Sequence, residues 1–441
     1  MKQYVITIAK CLIGFAVTLG VCFGLMCAAA AVPSAKIQHN LIESSEKFNK
    51  RMPHEMTVKG MYNSMCDNYA DAVLFGVAAN ISPKDIPTSV IDTKYYDDGY
   101  GPAVGIRATL GNYPANVDYT RYWHGSLVLI RPLLSVMDID GIRTVFTVII
   151  LLLFALDLVL LFLKGHRAAG VILLVSAVLT QFFFAFSTLE YMTVYIIMFA
   201  AIPLYMYFSE NDTALIVLSA ITATVTAFAD FLTTETMTLF IPLLIVFFIR
   251  AENGEKADNK KSILLTALCS ASWLCAYALT FIAKWLAAKA VTGKSISETA
   301  LSAAGERVGE LPEGVGSHAE LFFGSIGANL SMLVPSENKI NVIGIVVWLI
   351  LFTLVCVFLG ARDNRERCLS LVTMVFIAAV PVVRFMVLMN HSYLHNYFTY
   401  RALMISIMAL LGLFWYKVRA VDKRAERKRR KKESVNAKDR V

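Results

Sequence analysis

Apolar residues fill about ten long stretches of this chain, at roughly 4–32, 142–163, 168–188, 191–208, 213–231, 237–249, 262–283, 340–360, 369–389 and 401–416. Most approach the ~20 residues that an α-helix needs to cross ~30 Å of hydrocarbon, and only 237–249 is clearly short. A backbone in lipid must satisfy its own polar groups, so such runs form helices. The pattern predicts an all-α, polytopic transmembrane protein of about ten spanning helices. Orientation follows from the short loops. Lys164 with Arg167, then Arg250, Lys256, Lys260 and Lys261, then Arg362, Arg365 and Arg367, and finally the terminal basic run fall in alternate loops. Placing them all inside makes the chain a multi-pass protein of the cell membrane with cytoplasmic N- and C-termini. The first run is about 28 residues, longer than the roughly 7–15 of a signal-peptide core, and reads as an uncleaved anchor.

Composition agrees with a bilayer environment: of 441 residues, 57% are hydrophobic and only 17% charged. The net charge of +8 would suit nucleic acid if it were spread over a folded surface. Its excess instead lies between Lys417 and Arg440, so residues 417–441 read as a basic cytoplasmic tail beside the membrane. Of eight cysteines only Cys66 faces outside in this topology, which argues against a disulfide framework. No cysteine pair has zinc-site spacing with nearby histidines, so no metal ligands are assigned.

Residues 1–416 form one transmembrane module with two long outer segments, about 33–141 and 284–339. Connections of that length are seldom passive. The first carries acids, aromatics and turn signals, which predict interfacial helices packed on the membrane face. The second, with Gly305, Gly309, Pro312, Gly314 and Gly316, has the character of a loop over a site.

Ionisable groups near membrane depth are costly and draw attention. Asp230 and Glu235 stand at an outer junction of two helices, with Glu190 at the same level; Glu190 and Glu235 read as solvated loop acids, and Asp230 is a candidate substrate-binding residue. Asp157 lies deeper and reads as an interhelical hydrogen-bond partner. The densest constellation is Arg384 followed by the link His391-Ser392-Tyr393-Leu394-His395-Asn396-Tyr397-Phe398-Thr399-Tyr400-Arg401. Arginine forks and histidine donors at one level suit a phosphate, so Arg384, Arg401, His391 and His395 are candidate binding residues. An aromatic belt explains the tyrosines but not Arg384, inside its apolar run. In the first outer segment Asp67, Asp71 and Asp98 are candidate general bases, Asp67 and Asp71 sharing a face if helical. Tyr122, Trp123, His124 and Arg131 border a short apolar helix and suit a sugar face or a headgroup layer.

The Tyr122-Trp123-His124-Gly125 to Arg131-Pro132-Leu133-Leu134 stretch and the His391–Arg401 link, within this topology, resemble the GT-C class of membrane glycosyltransferases, in particular bacterial surface-polysaccharide types. The resemblance implies a polyprenyl-phosphate sugar donor, a glycan or lipid acceptor at the outer face, and an acid of the first outer loop as catalytic base. Asp67 is the nearest match, although about 35 residues separate it from the first run and the paired-acid form is absent. Asp71 and Asp98 therefore stay in play. No cofactor is fixed, and a divalent metal stays open. Membrane lipids are the expected surroundings and nucleic acid is not an expected partner. Two other readings fit the same residues: a lipid-linked sugar transporter or flippase, and a non-catalytic subunit of a polysaccharide assembly complex. Polar groups concentrated at the outer level favour the enzyme over a pathway through the bilayer.

Overall fold

The computed structural model describes residues 2–255, 258–293, 295, 297–334, 336–338, 342–344, 346, 348, 350 and 369–416. Lys256, most of the 340–360 run, Arg362, Arg365, Arg367 and the 417–441 tail lie outside the described residues.

Helix α1 (Lys2–Ala30) ends just before Pro33, which caps α2 (Ser34–Lys50). Proline fixes φ and lacks an N–H, so the chain turns there and does not continue one long helix. A cap layer follows at this end of the bundle. Strand β1 (His54–Met56) pairs antiparallel with β2 (Met65–Asp67), and α3 (Asn68–Asn80) follows. Next come α4 (Ile86–Ile91), β3 (Lys94–Tyr95), α5 (Pro102–Leu110), β4 (Val117–Asp118) paired with β3, and α6 (Leu127–Leu133). Helices α2, α3 and α5 pack on one another, while α6 packs on α1.

The bundle proper contains α7 (Ile139–Leu163), α8 (Arg167–Leu179), α9 (Leu189–Tyr207), α10 (Asp212–Ala229), α11 (Met237–Glu252) and α12 (Asn259–Thr292). Two further helices, α13 (Ser297–Gly309) and α14 (His318–Ser331), precede α15 (Leu371–Val387), α16 (Met389–Leu394) and a last helical stretch α17 (Asn396–Tyr416). Among the described residues, six helices are long and apolar enough to cross a membrane, namely α1, α7, α9, α10, α12 and α17. Helices α8, α11 and α15 are apolar but shorter, at 13, 16 and 17 residues.

Packing explains the patterns. Helix α11 is apolar on every face and nearly all of it is buried, as expected for a central helix, with α9 its main neighbour. Helix α10 packs on both α1 and α12, and α9 also touches α7. The outward faces of α1 and α7 leave Ile8, Leu12, Val17, Leu152 and Val159 exposed, a surface made for lipid. At the end away from the cap layer, Arg250 bonds the Ser209 carbonyl and Asp212, while Glu252 receives Tyr416 Oη at 2.9 Å and meets His166 Nδ1 at 3.0 Å.

Two expectations change in detail. The 168–188 run is not one helix: it breaks at Gln181, whose φ is +45°, and resumes as a 3-10 turn over Phe182–Ser187. The Gln181 amide explains the break, since it accepts from Asn63 Nδ2 and Tyr400 Oη and donates to the Leu333 carbonyl. The Asp157 carboxyl is fully buried without any hydrogen-bond partner, so the expected interhelical bond is absent among the described residues.

Candidate functional site

A cavity of about 420 Å³ opens where the cap layer meets the ends of α9 and α10 and the helices α13 and α16. That volume falls within the ~300–1,000 Å³ of typical small-molecule sites. Asp67 stands on one wall. The β1–β2 register sets it opposite His54, and it forms the N-cap of α3, Oδ1 accepting the Ala70 N–H at 2.8 Å. Its backbone N–H is held by Thr188 Oγ1 at 3.0 Å. Oδ2 faces Tyr397 Oη and His54 Nε2, each at 3.4 Å. This contact with Asp67 raises the His54 pKa above its usual value. Glu190, in the first turn of α9, brings a second carboxylate to the cavity, and Glu306 of α13 a third.

The rest of the lining is largely aromatic and cationic. Tyr119, Tyr122 and Phe231 meet edge-on or stacked, with Tyr122 and Phe231 centroids 5.4 Å apart. Tyr69, Tyr95 and Phe398 continue the lining. Arg121 lies over Tyr119 at 4.8 Å and Tyr122 at 5.3 Å, and Arg307 reaches the same Tyr122 ring at 5.9 Å. The buried Arg121 Nε has no partner, and neither guanidinium is ion-paired to a carboxylate among the described residues. Arg307 Nη1 donates to the Ala303 carbonyl at 3.1 Å, and a guanidinium with five N–H donors keeps others for an incoming anion.

Two local devices fix this wall. Gly125 donates its N–H to the Phe228 carbonyl at 2.8 Å, and any Cβ there would fall 2.6 Å from that oxygen, so only glycine lets the 122–125 turn dock on α10. Leu232 takes a left-handed φ of +67°, unusual for a leucine. Its carbonyl accepts from Arg384 Nη2 at 2.7 Å and meets His391 Nε2 at 2.9 Å. Asp230 closes the turn by accepting the Thr233 N–H and hydroxyl, the latter at 2.6 Å. Burial, then the charge of Glu235, pushes the Asp230 carboxyl up to about 7.

The sequence candidates separate clearly. Asp67, Tyr122, His391 and His395 line the cavity. Asp71 does not: its carboxylate is fully buried, receives two bonds from Arg143 and caps the Leu189 N–H. Asp98 is engaged in an exposed turn, accepting the Tyr100 N–H. Arg384 is committed to Glu235 through a two-pronged pair at 2.7 and 2.9 Å. Arg401 is buried between the Tyr191 and Tyr400 rings, with Nη2 on the Asn63 carbonyl. Arg131 bonds the Ala78 and Val32 carbonyls inside the cap layer. Trp123 is a core residue, its indole N–H on the Thr280 carbonyl and its ring stacked on Phe228. His124 is buried with Nδ1 on the Tyr122 carbonyl, and burial holds its pKa well below the usual value. Burial lowers His391 likewise, leaving it a neutral ring.

Arg121, Arg307 and Phe231 are not among the residues the sequence singles out, and Glu190 is noted there only as an acid at the outer level. Arg121 adjoins the singled-out Tyr122-Trp123 pair, and Arg307 sits among the glycines of the second outer segment, so both had a local signal. Their convergence on one tyrosine had none. Among the described residues no group of three or more His, Cys, Asp or Glu is arranged to hold a metal ion. No family model, curated protein or solved structure matches this chain.

Proposed function

We propose that the protein is a membrane glycosyltransferase that moves a sugar from a polyprenyl-phosphate donor to a glycan or lipid acceptor at the outer face of the cell membrane. One observation carries this reading: a single cavity joins the Asp67 carboxylate, an aromatic wall, and two arginines that have no ion pair among the described residues. Those are the three things sugar transfer from a phosphate requires. Aromatic faces take the apolar face of a sugar, arginines hold its phosphate, and a carboxylate accepts a proton.

In this reaction the acceptor hydroxyl attacks the anomeric carbon. Its new C–O bond forms as the bond to the donor phosphate oxygen breaks. The proton passes to Asp67, and the electron pair leaves with the polyprenyl phosphate, whose growing charge Arg121 and Arg307 stabilise. The phosphate role expected of Arg384 and Arg401 moves to Arg121 and Arg307, because the latter pair lines the cavity and the former does not. His391 and His395 border the same space.

The proposed topology has about ten spans with both termini inside, α8, α11, α15 and the apolar 340–360 run crossing beside the six longer helices. It is supported by Lys164, Arg167, Arg250, Lys260 and Lys261, which gather at the bundle end opposite the cavity. The test is transfer of sugar from a polyprenyl-phosphate donor by purified protein in nanodiscs. Asp67→Asn should cut turnover by roughly 10²–10⁴ while leaving donor binding intact, and Asp71→Asn and Asp98→Asn serve as comparisons. Unchanged turnover in Asp67→Asn would remove the base and, with it, the enzyme reading.

A further inference from the structure

Behind the aromatic wall lies a clip that touches no part of the cavity's charged groups yet decides where one of its rings stands. Phe231 lines the cavity, facing Tyr119, Tyr122 and His124. The next residue, Leu232, is held left-handed at φ +67°. A leucine avoids that conformation, so something must hold it there. The Leu232 carbonyl takes hydrogen bonds from Arg384 and His391, and the Thr233 carbonyl takes another from the same Arg384 Nη2 at 3.0 Å. Arg384 is itself fixed by Glu235. One guanidinium therefore ties both sides of the turn to α15, a geometry that the single ammonium of lysine cannot reproduce.

We infer that Arg384 is a positioning residue for sugar recognition: it clamps the strained 230–235 turn so that Phe231 presents its ring to the donor's sugar. This rests on the reading of the cavity as a glycosyl-phosphate site. Arg121 and Arg307 hold the phosphate and the clamped Phe231 ring contributes to the hold on the sugar, so the two halves of the ligand can be tested apart.

The probes are undecaprenyl phosphate and undecaprenyl-phosphoryl hexoses, titrated against full-length protein in nanodiscs. Arg384→Lys should weaken the hexose-bearing probes about tenfold, the worth of one charge-assisted hydrogen bond, and leave bare undecaprenyl phosphate nearly unchanged. Adding Leu232→Gly should restore hexose binding, because glycine adopts a positive φ without needing the clamp. Phe231→Leu, which leaves the clip whole, should reproduce the hexose-specific loss. Equal weakening of both probes by Arg384→Lys, or no rescue by Leu232→Gly, would overturn the positioning role. If Arg384→Lys does not fold, a Phe231→Leu variant that binds every hexose probe as well as wild type overturns it instead. Failure of the wild type to bind bare undecaprenyl phosphate, or indifference of that binding to Arg121→Ala and Arg307→Ala, would instead bring down the underlying site assignment.

Discussion

Two pairs of arginines lie within one end of this molecule and do opposite things. Arg143 and Arg384 are paired with the carboxylates of Asp71 and Glu235 and are spent on architecture. Arg121 and Arg307 rest on the face of Tyr122 and line the cavity, neither of them ion-paired to a carboxylate among the described residues. The acids divide the same way: Asp71 is locked to Arg143, whereas Asp67, one helical turn earlier, caps α3 through Oδ1 and turns Oδ2 toward the half-exposed His54 and a tyrosine hydroxyl. Residue type and depth do not distinguish working groups from holding groups. What distinguishes them is whether a permanently charged partner has already paired with them.

The comparison breaks most easily on stability. Arg384→Ala leaves Glu235 buried and uncompensated, which should cost about 3–5 kcal/mol, whereas Arg384→Met with Glu235→Gln should recover much of it. Thermal unfolding in detergent measures both, and an Arg384→Ala protein as stable as wild type would mean that the pair is not holding the turn. The next effect is on ligand affinity. Arg121→Ala and Arg307→Ala should each weaken polyprenyl-phosphate binding roughly ten- to hundredfold, with stability within about 0.5 kcal/mol of wild type. Loss of stability without loss of binding would place these arginines with the architectural pair.

The smallest effect concerns pH. The folded His54 pKa is raised above the ordinary 6.5 by Asp67, so its contribution to stability is fully present below that value and fades as pH rises through the folded pKa. His54→Gln should therefore lower stability below about pH 6.5 and match wild type in alkaline solution, the difference being a few tenths of a kcal/mol because the His54 side is half exposed to solvent screening. A deficit that persists unchanged at high pH would show that His54 acts by packing and not by charge.

Much of the architecture was legible because membrane helices advertise themselves by length and apolarity. Most of the expected runs coincide with helices to within a few residues, α7, α9 and α10 among them. Interruptions were not legible. The turn at Gln181 depends on Asn63, Leu333 and Tyr400, residues distant in sequence whose bonds stabilise a backbone conformation that the local pattern does not announce. The small strands of the cap layer are two or three residues each and leave no alternation to read. At the site, Asp67 and Tyr122 could be chosen from local chemistry. Arg384 drew attention for a sound reason, a charge inside an apolar run, but its counter-charge Glu235 comes from the junction of α10 and α11, which no local pattern pairs with α15. Arg307 was overlooked because its function depends on a helix folding back over Tyr122.

The seat of the phosphate decides the account. A structure of the protein in nanodiscs with undecaprenyl phosphate bound should place the phosphorus between the Arg121 and Arg307 guanidinium groups, beside Tyr122 and across the cavity from Asp67, with the Arg384–Glu235 pair intact. A phosphate bound instead by Arg384 and Arg401, with that pair broken, or a lipid headgroup outside the cavity altogether, would contradict it.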